Sequence, residues 1–296
     1  MRRLEEKKWR IVTEESIRKY CEWLSNCEKS EGTIEKYRYY LLQFRNYTRE
    51  RNVDQGIVLM WKHYLRSRFA PVTVNGALSA INGYFKFYRW EDCGVRFIKI
   101  GVSPFCQESR ELSKEEYQRL VEAAINRGNE RLSLLIQTIC SSGIRISELV
   151  YVTVEAVQKG KAEVDCKGRV RTVLLTKQLC VMLLEYAKRR GITEGTIFIT
   201  RNGNALDRSN IWREMKALGA EAGVEKDKIF PHNLRHLFAK TYYAAEKDIS
   251  KLADILGHSD VNTTRIYTRE SGNRHRMQLE NLGLLVTAYN RISILL

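Results

Sequence analysis

The sequence predicts a mainly α protein of two domains, a helical one followed by a mixed α/β one whose β-structure is a small sheet or hairpin. Three observations carry this. Residues 1–105 show apolar residues at helical spacing and no strand signal. The stretch Gly101-Val102-Ser103-Pro104 and Gln107-Glu108-Ser109-Arg110 reads as a linker, and Ser113-Lys114-Glu115-Glu116 behind it is a capping box opening a new helix. Beyond it, alternating residues flank one Lys-Gly-Arg tip.

In the first domain, helices are expected over 14–25, 56–67 and 73–90, with Pro71 marking the start of the last. A further helix carries Ile34, Tyr37, Leu41, Phe44 and Thr48 at steps of three and four, with Ser30 and Thr33 placed at its start as caps. The second domain, 111–296, is expected to be mostly helical. Its hairpin pairs Ala162–Cys166 with Val170–Leu174 around Lys167-Gly168-Arg169. A third short strand is expected at Thr196–Thr200, ending at the Asn202-Gly203 turn. The last residues carry Leu279, Leu282, Leu284, Leu285, Tyr289, Ile292 and Leu295, an apolar terminal segment that packs in cis or on a neighbour.

A chain of 296 residues holds two domains of ordinary size, and its 44% apolar content is that of a globular protein. No stretch approaches the roughly 20 apolar residues that span a bilayer. The charged start, Met1-Arg2-Arg3-Leu4-Glu5-Glu6, is not a secretory signal, so a cytoplasmic location is expected, without a membrane partner. Seven scattered cysteines without a C-x-x-C pair signal neither a disulfide framework nor a zinc site. The net charge of +15 favours a polyanionic partner. Its distribution sharpens this: no Asp or Glu stands between Gln55 and Trp90, where Lys62, Arg66, Arg68, Lys86 and Arg89 alternate with Trp61, Tyr64, Phe69, Tyr84, Phe85, Phe87, Tyr88 and Trp90. Such a segment suits a surface lying along phosphates; the alternative is that the aromatics are core and the charges incidental.

Four clusters carry candidate chemistry. In Ser142-Gly143-Ile144-Arg145-Ile146-Ser147-Glu148-Leu149, Gly143 breaks a helix and Arg145 sits in a tight corner, its fork of donors able to face an anion. Lys167 stands at the hairpin tip. Pro231-His232-Asn233-Leu234-Arg235-His236 starts a helix with His232 and Arg235 on one face, suited to an anionic site and acid–base work. Leu256-Gly257-His258 is followed nine residues after the histidine by Tyr267, a nucleophile candidate among fifteen tyrosines. Taken alone, the first two clusters read as an ordinary surface arginine and a turn lysine, His-x-x-Arg is common by chance, and Tyr267 stands out from the other tyrosines by its place on a polar helix just after a Gly-His corner. Glu148 is expected to orient a basic neighbour or cap its helix, and His236 to pack outside the site.

Together, in this order, the clusters resemble the tyrosine recombinase (phage integrase) family: an Arg in a G-x-R-x-S-E-L corner, a hairpin Lys, His-x-x-Arg, a His after Leu-Gly, and a Tyr nine residues later. The resemblance covers nearly the whole chain and implies the simple two-domain architecture, a helical core-binding domain over 1–105 and a catalytic domain over 111–296. The chain departs from the family in a hairpin about one residue short that lacks the usual proline, which leaves Lys159 or Lys161 as other holders of the lysine role. The resemblance implies that Tyr267 attacks a DNA phosphate, with Arg145 and Arg235 on its oxygens, His258 adding a hydrogen bond, His232 accepting the phenol's proton and Lys167 protonating the leaving oxygen. It implies double-stranded DNA as partner, a homo-tetramer on that DNA, and action on the nucleoid. No cofactor or metal is implied, and the sequence shows neither a phosphate loop nor an acidic cluster for paired magnesium ions. Two rival readings are a type IB topoisomerase-like enzyme and a DNA-binding regulator without catalysis; the intact residue set argues against the second.

Overall fold

The computed structural model describes residues 9–101, 110–166, 169–200, 202–258, 260–267 and 272–284. The chain divides into two compact units, residues 1–102 and 103–296.

The described residues of the first unit form four α-helices, α1 (Glu14–Asn26), α2 (Glu31–Thr48), α3 (Gln55–Arg66) and α4 (Pro71–Phe87), followed by a 3-10 turn (Glu91–Cys93). Thr13 caps α1 in a reciprocal box with Ser16, and Asp54 caps α3 by accepting from the Ile57 N–H. Pro71 occupies the first turn of α4, where its missing N–H costs nothing. Ser30 is the N-cap residue of α2, but its hydroxyl pairs with that of Thr33 at 2.8 Å rather than with a backbone N–H. The apolar stripes meet in a core of Ile17, Tyr20, Leu41, Phe44, Trp61, Leu78 and Tyr84. Trp61, Tyr84 and Phe85 are thus interior residues, so the core reading holds for these aromatics of the acid-free segment. Tyr84 can be buried because its hydroxyl donates to the Ser16 hydroxyl at 2.6 Å.

The second unit runs α5 (Lys114–Asn126), α6 (Glu130–Ser142), a 3-10 turn (Ile146–Tyr151), α7 (Val154–Gln158), β1 (Lys161–Cys166), β2 (Arg169–Leu174) and α8 (Lys177–Arg190). It continues with α9 (Arg208–Ala217), α10 (Gly219–Ala222), α11 (Pro231–Glu246), α12 (Ile249–Leu256), α13 (Val261–Thr264) and α14 (Gly272–Asn281). Ser113 and Glu116 form the capping box expected at α5. The antiparallel strands pair Ala162 with Val173 and Val164 with Arg171, so these side chains share the inward face with Leu175.

Thr196–Thr200 does not form the expected third strand. It makes isolated bridges only, Thr196 opposite Thr153 and Ile199 opposite Ala205. The Asn202-Gly203 turn folds the segment back at once, with the Thr200 N–H bonded to the Asn204 carbonyl, which leaves no length for a ladder. The cysteines at 21, 27, 93, 140 and 180 are free thiols. No described helix is long and apolar enough to cross a membrane.

Candidate active site

The Arg145 corner follows from Gly143. Its φ of +66° supplies the left-handed residue that ends α6, and its N–H returns to the Ile139 carbonyl. Close packing also demands glycine, since a Cβ there would lie 2.5 Å from the Phe238 ring. The chain turns, and Arg145 heads the next 3-10 turn with Glu148 three residues on. Glu148, 2% exposed, accepts from the Arg145 N–H at 2.9 Å, from Arg145 Nη1 at 2.7 Å and from Arg171 Nη2. Burial works to raise its carboxyl pKa, but these charge-assisted bonds outweigh burial and hold it below the usual range. Glu148 therefore both caps the turn and orients the Arg145 guanidinium.

Helix α11 starts at Pro231 and carries His232, Arg235 and His236 at i, i+3 and i+4, on one face. Arg235 is 3% exposed. It gives Nη1 to the Gly143 carbonyl, and Nη2 to the Leu256 carbonyl at 2.8 Å and to His258 Nε2 at 3.1 Å. Burial, and then the charge of Arg145, push its pKa down to about 10, so it stays protonated at neutral pH. Desolvation, followed by the charges of Arg235 and Arg145, lowers the His232 pKa below its usual value.

Gly257, at φ +64°, ends α12 and turns the chain so that His258 meets Arg235. Because Arg235 can only donate, His258 Nε2 accepts, and its Nδ1 carries the proton to Thr264 Oγ1 at 2.9 Å. Desolvation and then Arg235, Arg145 and Arg171 push the His258 pKa down to about 4. The imidazole is neutral at pH 7.

Tyr267 ends the 3-10 turn Arg265–Tyr267 and is 3% exposed. Its ring centroid lies 5.0 Å from that of His236, 6.0 Å from that of His258 with the planes 15° apart, and 6.5 Å from that of His232. Ala239, Leu252 and Leu256 complete its surroundings. The phenol ring is thus enclosed both by the three imidazoles and by an apolar cluster of Ala239, Leu252 and Leu256.

The sequence pattern of the phage integrase family matches residues 110–274, more than half of the chain. The chain belongs to the phage integrase family. The N-terminal SAM-like domain of phage integrases matches residues 17–92 as well. This integrase-family protein is 26% identical to the tyrosine recombinase XerA of Pyrococcus furiosus over 284 residues, 93% of this chain and 96% of that one. It shares its fold with the XerH site-specific recombinase solved on its difH substrate before cleavage, at a TM-score of 0.68 and 22% identity over 91% of this chain and 83% of that one. A lambda integrase tetramer solved on a Holliday junction shares it too, at a TM-score of 0.70 and 15% identity over 86% and 76% of the two chains.

Five of the residues singled out from the sequence of this integrase come together: Arg145, His232, Arg235, His258 and Tyr267. Lys167 lies outside the described residues. Of the other lysines, Lys161 pairs with Glu163 at 3.3 Å and Lys159 is the exposed C-cap of α7. His236, expected to pack outside the site, packs against the Tyr267 ring itself; its spacing of four from His232 was the signal. Arg171 was missed altogether. It stands on the inward face of β2 ahead of the apolar residues Val173 and Leu175 at i+2 and i+4, an anomaly that alternation alone could reveal. In the first unit, Arg66, Lys86 and Arg89 are exposed, Arg68 stacks 4.0 Å over the exposed Tyr64 ring, and Lys62 Nζ donates to the Arg96 carbonyl at 2.6 Å.

Proposed function

We propose that this tyrosine recombinase cuts and rejoins DNA at a specific site through a 3′-phosphotyrosine on Tyr267. The observation that carries this is the convergence of the Tyr267 phenol with Arg235, His258, His232 and Arg145 around one cationic pocket. In the scheme, the phenol oxygen attacks the scissile phosphorus, the bond to the 5′-oxygen breaks, and a 5′-hydroxyl leaves. A free phenol has a pKa of about 10, so its proton must be taken during attack. His232, its pKa lowered by desolvation and two guanidinium groups, is neutral at pH 7 and able to accept it.

Arg145 and Arg235 face the non-bridging oxygens, where negative charge grows. His258 starts as an acceptor from Arg235. A phosphate in the pocket would set an anion beside the ring, favour proton uptake at Nε2 and turn it into a donor to the same oxygens. Lys167 protonates the leaving 5′-oxygen. Attack by the 5′-hydroxyl of a partner strand on the phosphotyrosine then reverses each role.

The helical unit serves as the core-binding domain, with Lys62, Arg66, Arg68, Lys86 and Arg89 toward DNA phosphates. Two duplexes exchanging strands need four such sites, so we assign a homo-tetramer on double-stranded DNA, working on the nucleoid in the cytoplasm. The exposed apolar residues Met277, Leu279, Leu282 and Leu284 support subunit contacts; residues 285–296 lie outside the described residues. Integration or excision of a mobile element, inversion and chromosome dimer resolution all use this chemistry.

A duplex nicked near the cleavage position traps such an enzyme covalently, because the short released strand diffuses away. Covalent capture by the wild type and its loss in Tyr267→Phe are expected. Capture that survives Tyr267→Phe would overturn the assignment. Exchange between two differently labelled duplexes separates recombination from the nicking and resealing of a topoisomerase.

A further inference from the structure

We propose that Arg171 is a positioning residue that ties the hairpin to two parts of the site, holding Arg145 through Glu148 and His258 through the end of α12. The inference rests on the assignment of Arg145 and His258 given above.

A guanidinium on the inward face of a strand is costly to bury unless its donors are met. The Arg171 side chain is 12% exposed, and its two terminal nitrogens go to two different elements. Nη2 donates to Glu148 Oε2, on the opposite side of the carboxylate from the Arg145 guanidinium, which bonds Oε1. Nη1 donates to the Ile255 carbonyl at 2.8 Å. That carbonyl belongs to the last turn of α12, where backbone acceptors have no partner within the helix and the helix dipole favours a cation.

The next carbonyl, of Leu256, goes to Arg235. Two arginines from separate elements therefore hold consecutive carbonyls and fix the direction in which the chain leaves α12. His258 lies two residues further on. Gly257 between them lies close against Arg171: a Cβ there would clash with Arg171 Cδ. The guanidinium fork, with two terminal nitrogens in one plane, can serve the carboxylate and the carbonyl together. A lysine keeps the charge but loses that geometry.

Single-turnover covalent capture on the nicked duplex at saturating protein, beside DNA affinity and thermal unfolding, tests this. Arg171→Lys is expected to slow capture by roughly 100-fold, the scale of a small misplacement of reacting groups, with DNA affinity close to wild type and a lowered melting temperature. Gly257→Ala, which displaces the Arg171 side chain, is expected to slow capture too. Added guanidinium ion is expected to restore part of the rate of Arg171→Ala, and the losses of Arg171→Lys and Glu148→Gln are expected to add only in part, because both weaken the bond between Arg171 and Glu148.

Capture by Arg171→Lys at the wild-type rate, or a defect confined to DNA affinity, would overturn the inference. Should Arg171→Ala fail to fold, the lysine variant decides. If Tyr267→Phe abolishes capture while Arg171→Lys captures normally, only the role of Arg171 falls. If Tyr267→Phe still captures, the site assignment falls first.

Discussion

Arg235→Lys keeps a positive charge in the pocket and removes the fork that holds three groups. The guanidinium bonds the Gly143 carbonyl, the Leu256 carbonyl and His258 Nε2, and so joins the end of α6 to the end of α12. An ammonium on a lysine stem is a point donor that serves one of these carbonyls well and leaves the other without its charged partner. A hydrogen bond to a charged group is worth about 1.5–3 kcal/mol net, and the lost contact to His258 adds about 1 kcal/mol. The second unit is therefore expected to lose about 2.5–4 kcal/mol, a large part of the roughly 5–15 kcal/mol typical of a domain but not all of it.

Urea unfolding at pH 7 followed by circular dichroism reads this as a lower midpoint at an unchanged slope for the second unit. Covalent capture reads the other half: loss of one preorganised donor raises the barrier by about 2.7–4 kcal/mol, roughly 100- to 1,000-fold in rate. A variant with wild-type stability would refute the clamp assigned to Arg235. A variant that loses stability yet captures DNA at the wild-type rate would refute its place on the phosphate.

Three further outcomes are expected. His258 has a folded pKa of about 4, below the roughly 6.5 of an unfolded histidine, so between these values the unfolded chain binds the extra proton. Stability should be full above that window and fall as pH drops through it, by at most about 1.4 kcal/mol per pH unit from this ring, and urea midpoints that stay flat from neutral pH to the lower end would contradict the lowered pKa of His258. Gly143→Ala combines a left-handed backbone with a Cβ 2.5 Å from Phe238, and should cost about 2–4 kcal/mol by denaturation, whereas a loss near zero would mean that the corner is not rigid. Replacing the exposed Lys86 and Arg89 by glutamine should lower the salt dependence of DNA binding by about 1 in log–log slope for each phosphate contact removed, and an unchanged slope would take them off the DNA.

What the sequence made visible and what it hid divide along a physical line. Features set by local chemistry could be read directly: the Gly143 and Gly257 caps, the Ser113–Glu116 box, the hairpin and the helical stripes of α1 to α4. The i+3 spacing of His232 and Arg235 was also local, and so was the i+4 spacing to His236, whose place on the Tyr267 ring followed from the same helix face. Thr196–Thr200 has strand-forming residues, yet a strand needs a partner along its length, and the turn at Asn202-Gly203 removes it. Trp61, Tyr84 and Phe85 show the same limit from the other side, since a basic neighbour in the chain says nothing about which way an aromatic ring faces.

The least visible part is the most consequential for the chemistry. Arg171 and Arg235 lie far apart in the chain, yet both end on adjacent carbonyls of α12, and a sequence shows cationic side chains without showing where unpaired backbone acceptors will stand. The site's geometry thus depends on helix ends as much as on side chains. Gly143 exposes one carbonyl to Arg235, and the Gly257 corner exposes two, one to each arginine. Substitutions that lengthen α6 or α12 past these glycines should therefore disarm the pocket without touching any of its charged groups.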